Sequence, residues 1–378
     1  MDFLCGVPYL QARGYTVDIL ELTDLHPDPQ SPAYEDLSRQ NASAQQVTRF
    51  TSTSHQLVES IDRLNQYDAV VAGNESVAFG IAHFIRAGAV RTPFFYFGTG
   101  MLAYAVPGPH EASILTRLAA VPRELYSRLV QRRYQRARRM YRELIESSQA
   151  AILFGWWDYQ QARRMFPNLR SRVYFLPFAV DTEFWRPDAA NGASDDSILF
   201  MGNDRPRDYD LVLEIARRLP EFTFVFVTKV ISPATVPHNV RLKAGDWKDS
   251  LLSDVDIRRI VQRSALVILP LKPTYKPSGQ SVTLQAMACG KPVMISRRDG
   301  FWEPDSVVDR EHIWFVHSSR PEAWCTSIRT IMGDPGARAR IGANARALVE
   351  QGNNLEFFGR ELKAILVKSD RPREVAPC

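Results

Sequence analysis

Residues 276–296 read Lys-Pro-Ser-Gly-Gln-Ser-Val-Thr-Leu-Gln-Ala-Met-Ala-Cys-Gly-Lys-Pro-Val-Met-Ile-Ser, and their order suits the capture of an anion. A Ser278-Gly279 turn precedes a helix with Ser281 near its start, Gly290 stops that helix, and Pro292 leads into a strand. A helix that begins this way presents unpaired backbone N–H groups and the positive end of its dipole, where a diphosphate binds well. An ordinary capped helix in an α/β domain would carry the same residues, so the segment alone leaves both readings open. A second candidate, Asp254-Val255-Asp256, pairs two carboxylates as a divalent-metal site does. It opens an amphipathic stretch in which acids favour the helix dipole, so a helix start explains it better and no metal site is expected. The third feature is charge: nine arginines lie between Arg117 and Arg142 against one acid, Glu124.

The elements that must carry these residues follow from the apolar pattern. Short β-branched and aromatic runs alternate with longer helical ones, which predicts parallel α/β architecture. In the first half, residues 15–20, 69–72, 94–97, 150–154 and 173–176 read as strands, with helices over 50–64 and 77–85. In the second half, strands at 198–201, 222–227, 266–269 and 293–296 alternate with helices at 208–218, 253–263 and 281–288. The polar segment 181–197, with Pro187 and Gly192, reads as a linker. We therefore expect an N-terminal Rossmann-like domain over 1–180, a C-terminal one over 198–354, and a closing helix and tail over 355–378. A chain of 378 residues exceeds what one core normally serves, in keeping with two domains. Ligands in open α/β sheets lie beyond the carboxyl ends of the strands, so two such units create a cleft. A doubly wound domain normally opens with a central strand and a glycine-rich turn. Here residues 2–13 read as a helix stopped by Gly14, so either Met1 is internal to a longer protein or the N-terminal sheet lacks a strand.

The run Gln285-Ala286-Met287-Ala288-Cys289-Gly290-Lys291-Pro292-Val293 resembles the signature of glycosyltransferase family 4, of the GT-B fold. The resemblance covers most of the C-terminal half, including 301–316 and the helix at 335–349. In the first half it rests on Arg13-Gly14-Tyr15-Thr16-Val17 and on Phe178-Ala179-Val180-Asp181 with Phe184. It implies two facing doubly wound domains and a retaining transfer of sugar from a nucleotide-sugar donor held in the C-terminal half, without a metal. By the same resemblance Gly202 ends a donor-site strand, and Asn203 stands where an arginine is usual. Arg207 falls about where the family has a diphosphate-gripping lysine, and its planar fork suits two phosphate oxygens. A surface Arg207 paired with Asp208 or Asp210 is the alternative. Two family glutamates are replaced, one by Pro277 and one by Gln285. Gln285 keeps a carbonyl acceptor for ribose. Pro277 offers none, so sugar recognition shifts to Gly279, Gln280, Ser281 and Val282 beside Ser278. No histidine is assigned, because neither His83 nor His110 stands in a matching context.

Two other functions stay open: a nucleotide-sugar epimerase of the same architecture, for which no acid and base carboxylates are identifiable, and a non-catalytic sugar-nucleotide-binding or scaffold protein, favoured by the two replaced glutamates. The acceptor is left unspecified, and nucleic acid is not an expected partner. Cys5, Cys289, Cys325 and Cys378 are scattered, without metal-site or disulfide-scaffold spacing, which suits a reducing cytoplasm. With no secretory signal in view, the uncharged run 92–109 reads as strand plus loop, being broken by three glycines and two internal prolines. The arginine-rich stretch around Tyr126, Leu129, Val130, Tyr134, Ala137 and Tyr141 predicts a helix with one apolar face. Its arginines form either a solvated surface or a peripheral attachment to anionic lipid at the inner face of the membrane.

Overall fold

The computed structural model describes residues 6–108, 123–188, 195–243, 252–303 and 305–369. The chain divides into two compact units, Gly6–Leu176 with the residues from Gly359 onward, and Pro177–Phe358. The segment expected to link them, 181–197, is grouped with the second unit.

The first unit is built on a parallel sheet of β1 (Val70–Ala72), β2 (Phe94–Gly98), β3 (Ala150–Leu153) and β4 (Val173–Phe175), in the order β1-β2-β3-β4. Its central strands are apolar at every position and buried, as expected of strands covered on both faces. Helix α1 (Pro32–Thr48) starts at Ser31, whose hydroxyl accepts from the Tyr34 N–H. Helix α2 (Glu75–Arg86) starts at Asn74, whose carbonyl accepts from the N–H groups of Ser76 and Val77. Helix α3 (Arg123–Ser147) turns Tyr134, Ala137, Tyr141, Leu144 and Ile145 into the core, which is the expected apolar face continued by one turn. Arg117 and the side chains of Tyr126, Leu129 and Val130 lie outside the described residues.

Two expectations are corrected here, and one helix was not expected. Residues 15–20 form no strand, because a strand needs a neighbour to share its ladder and β1 has its pairing only with β2. The helix expected over 50–64 is broken into Ser54–Leu57, a 3₁₀ turn at Val58–Ser60, and Ile61–Leu64. Its first residues are drawn under α2, where an added carbon on Gly80 would meet the Ser54 nitrogen at 2.9 Å. Helix α1 went unread because it is largely polar, burying only Leu37 and Thr48.

The second unit has β5 (Ser197–Met201), β6 (Phe224–Val227), β7 (Val240–Lys243), β8 (Ser264–Leu269), β9 (Val293–Ser296) and β10 (Trp314–Val316). All pair in parallel, in the order β7-β6-β5-β8-β9-β10. Counted within the unit this is 3-2-1-4-5-6, the doubly wound arrangement whose order reverses between β5 and β8. Helices α4 (Tyr209–Arg218), α5 (Asp254–Arg263), α6 (Gln280–Ala288), α7 (Pro321–Met332) and α8 (Pro335–Gly352) cover it. The carboxylate of Asp256 accepts from Ser253 while Ser253 accepts from Asp256, a reciprocal cap that accounts for one of the acids at 254–256. Helix α6 packs against α8 with no room to spare: a carbon added to Gly342 would lie 2.1 Å from the Gly290 carbonyl oxygen. Arg346 of α8 donates to the carbonyls of Ala288, Trp185 and Thr182, holding the carboxyl end of α6 with a cation where the helix dipole favours one. The final helix, α9 (Leu355–Ser369), begins in the second unit and ends in the first.

Because the atom opposing Gly342 is backbone, Gly342→Ala should lower stability by about 1–3 kcal/mol, the usual cost of overpacking. Thermal melts of the two proteins check this, and an unchanged midpoint would show that α6 is not held at that contact.

Candidate functional site

Beyond the carboxyl end of β5 the chain makes a turn that only glycine allows. Gly202 has φ +141°, and a carbon added there would meet Arg207 Nε at 2.4 Å. The loop folds back so that Arg207 N–H donates to the Asp204 carbonyl. It is then pinned across the switch point, with the Lys272 N–H donating to the Pro206 carbonyl at 2.8 Å and the Asp208 N–H to the Pro270 carbonyl at 2.9 Å. The end of β8 is fixed in turn by Ser296, whose Oγ accepts from the Leu271 N–H at 2.9 Å, and by Arg298, which donates from Nε and Nη2 to the Leu271 carbonyl.

This architecture withdraws Arg207 from water, leaving it 3% exposed. Its Nε donates to the Met201 carbonyl at 3.1 Å and lies 3.3 Å from Asp204 Oδ1. The surface pairing with Asp208 or Asp210 is therefore not the one made; the acid three residues upstream serves. Burial pushes the guanidinium below its ordinary value and the Asp204 carboxylate opposes this, so the group remains a cation at working pH. The neighbouring Tyr209 donates to the Asp204 carbonyl at 3.0 Å, and burial is the main reason its hydroxyl is pushed up to about 12. Arg207 Nη1 is buried and has no hydrogen-bond partner among the described residues. It lies 3.1 Å from where a carbon added to Gly279 would stand.

Gly279 is the left-handed residue, φ +81°, that precedes α6, and no side chain caps the helix. The first turn of α6 thus directs backbone N–H groups of Gln280, Ser281 and Val282 outward from the helix start, next to Arg207. The preceding loop is stiff: Ser278 N–H bonds the Lys276 carbonyl, and Gly300 N–H bonds the Thr274 carbonyl. A carbon added to Gly300 would lie 2.4 Å from the Tyr275 backbone. Gly202, Arg207, Ser278, Gly279, Gln280, Ser281 and Val282 are therefore gathered at one switch point. Asn203 is turned aside, its carbonyl accepting from Thr228 Oγ1 and the Lys229 N–H and so lashing the end of β5 to that of β6. Gln285 lies further along α6 and is 2% exposed, in the body of the helix layer. The sequence reading missed Asp204, Tyr209, Ser296, Arg298 and Gly300. Of these only Asp204 carried a local signal, its i, i+3 spacing to Arg207.

Residues 195–334, which lie within the six-stranded unit, match the family model described as Glycosyl transferases group 1. No curated protein matches the chain. Among solved structures it is similar over nearly its whole length to a glycosyltransferase from Rickettsia africae, with a TM-score of 0.64 at 12% identity over 98% of this chain and 95% of that one. Sucrose-phosphate synthase from Thermosynechococcus elongatus gives 0.62 at 14% identity, covering 91% and 82%. HepE from Anabaena in complex with UDP gives 0.59 at 14% identity, covering 83% and 82%. The chain accordingly has the GT-B fold, two Rossmann-like domains in one polypeptide.

Behind the stiff loop, Glu303 is held by Asn353, whose Nδ2 donates to Glu303 Oε2 at 3.2 Å and to the Phe178 carbonyl at 2.9 Å. Burial raises the Glu303 carboxyl above its ordinary value, with the Asn353 bond opposing. A raised carboxyl contributes stability that is complete below the unfolded value and is lost as pH rises through the folded one. Glu303→Gln keeps an acceptor for Asn353 and removes the charge. It should melt higher than the parent at pH 8, with the gain shrinking toward the ordinary carboxylate range near about pH 4. A pH series of melts checks the sign, and a lower midpoint at pH 8 would contradict it.

Proposed function

We propose that the protein is a retaining, metal-independent glycosyltransferase that moves a sugar from a nucleotide-sugar donor to a hydroxyl acceptor. The observation that carries this reading is the buried, unpartnered Nη1 of Arg207 at the uncapped start of α6. A guanidinium nitrogen and a row of helix N–H groups at one point form a receptor for an anion, and a diphosphate is the anion a group 1 glycosyl transferase domain handles. HepE, of the same fold, has been crystallised with UDP-glucose, which supports the same class of donor here.

Breaking the bond from the anomeric carbon to the diphosphate builds positive charge on the sugar and negative charge on the leaving oxygen. Arg207 and the N–H groups of Gln280, Ser281 and Val282 stabilise that oxygen as fixed donors, which is how preorganised sites lower such barriers. Ser278 and Gly279 shape the approach, and Gln285 offers its carbonyl to ribose. With a permanent cation in place, the leaving group needs no metal. The acceptor then attacks from the leaving-group face, preserving the anomeric configuration.

Calorimetric titration with UDP, ADP and GDP in turn tests the donor site. One of them should bind, and Arg207→Ala should weaken it roughly ten- to a hundredfold, the loss of a charged bond of about 1.5–3 kcal/mol. Because Arg207 is buried, Arg207→Lys is the companion variant: it keeps the charge, loses the fork, and should recover part of the affinity. EDTA should change nothing. Equal affinity in a folded Arg207→Ala protein would remove the diphosphate from this site, and rescue of chelated protein by Mg²⁺ would overturn the metal-free reading.

The same reading includes peripheral attachment to anionic lipid. No helix among the described residues is long and apolar enough to cross a membrane. Arg132, Arg136, Arg138 and Arg139 of α3 are exposed, and such a row attracts anionic headgroups. The protein should pellet with phosphatidylcholine vesicles containing phosphatidylglycerol at low salt and be released at high salt. Equal pelleting with pure phosphatidylcholine would refute attachment through charge.

A further inference from the structure

The first unit contains a buried carboxylate that the donor site does not use. Glu75, the first residue of α2, is 0% exposed. Its two oxygens accept four hydrogen bonds from three consecutive residues beyond β2: Thr99 N–H at 2.8 Å, Thr99 Oγ1 at 2.6 Å, Gly100 N–H at 3.1 Å and Met101 N–H at 2.9 Å. The turn has no freedom to move away. A carbon on Gly98 would lie 2.2 Å from Leu153 Cδ2, and Gly100 is held at φ +106°. The carboxylate thus fixes one short turn at the carboxyl end of a parallel strand, where open α/β sheets bind their ligands.

The chemistry of this turn follows from the shortest of the four bonds. A threonine hydroxyl has one proton and two lone pairs. At 2.6 Å from a carboxyl oxygen that already accepts the Thr99 N–H, that proton is directed to Glu75. Thr99 is itself exposed. With its proton so directed, the oxygen has only lone pairs to offer a further partner, which suits the O–H of an alcohol or sugar and not an anion.

We infer that Thr99 is a binding residue for the hydroxyl-bearing acceptor and that Glu75 is its positioning residue, orienting Thr99 Oγ1 by holding its proton. This rests on the glycosyltransferase reading for the word acceptor, but the hydroxyl site can be tested without turnover. The full chain is titrated with methyl α-D-glucopyranoside by ligand-observed NMR, and with UDP, ADP and GDP by calorimetry. Thr99→Val, which keeps the shape and removes the oxygen, should weaken glycoside binding at least fivefold, whereas Thr99→Ser should retain it. Glu75→Gln should weaken it similarly, since an amide cannot accept all four bonds. Nucleotide affinity should stay within twofold in all three. Glycoside binding that is the same in the parent and in Thr99→Val, whether present or absent in both, overturns the inference. Loss in Glu75→Gln alone, with Thr99→Val unaffected, makes Glu75 a purely structural cap and also overturns it. Failure of every nucleotide to bind sinks the donor reading separately.

Discussion

Moving a guanidinium out of water costs several kcal/mol unless its donors are met, and in the second unit that cost is met only in part. Arg207 gives Nε to the Met201 carbonyl and leans on Asp204, yet keeps Nη1 open. Much of the surrounding sequence follows from making room for this one cation. Gly202 is required because any side chain would strike Nε, and Gly279 because a side chain would crowd Nη1 as well as Ile295. The bonds from Lys272 and Asp208 to the carbonyls of Pro206 and Pro270 keep the arginine from swinging out to solvent. A site organised in this way has its charge in place before a ligand arrives, and the energy it lacks is what an anion supplies.

The parts of this arrangement that the sequence revealed are those with local punctuation. Helix α6 announces itself by Gly279, Gly290 and Pro292, and its flanking strands by uninterrupted apolar runs. Strand β10 has three residues and β7 is an edge strand reading Val-Arg-Leu-Lys, so neither carries enough periodicity to be seen. Residues 15–20 have a strand's composition, but pairing is a long-range property that composition does not carry. Arg207 could be named from the resemblance, yet not its burial, since Asp204, Asp208 and Asp210 all lie within three residues of it and only the fold selects the first. The bonds of Asn203 were illegible for the reverse reason: its partners Thr228 and Lys229 lie just beyond the end of another strand, β6.

The two replaced glutamates take on a physical meaning beside that cation. Position 285 is 2% exposed, so a carboxylate there would be a second buried charge to compensate, and the amide of Gln285 avoids that cost while keeping an acceptor. Pro277 contributes no polar contact, but it restricts the residue before it and lies in a loop whose backbone is pressed against Gly300.

Arg207 in one unit and Glu75 in the other are both buried near the carboxyl end of a strand, and they differ in how completely they are satisfied. Arg207 has an open donor, so its surroundings remain electropositive and call for an anion. Glu75 has four donors on two oxygens, so its charge is already answered and what reaches the surface is only the polarity it imposes on Thr99. An unsatisfied charge selects an opposite charge, whereas a satisfied one orients a neutral dipole and selects a neutral partner. Those are the requirements of the proposed transfer, in which the sugar's bond to a nucleoside diphosphate breaks as its bond to a hydroxyl oxygen forms, so that an anion departs and a neutral hydroxyl attacks.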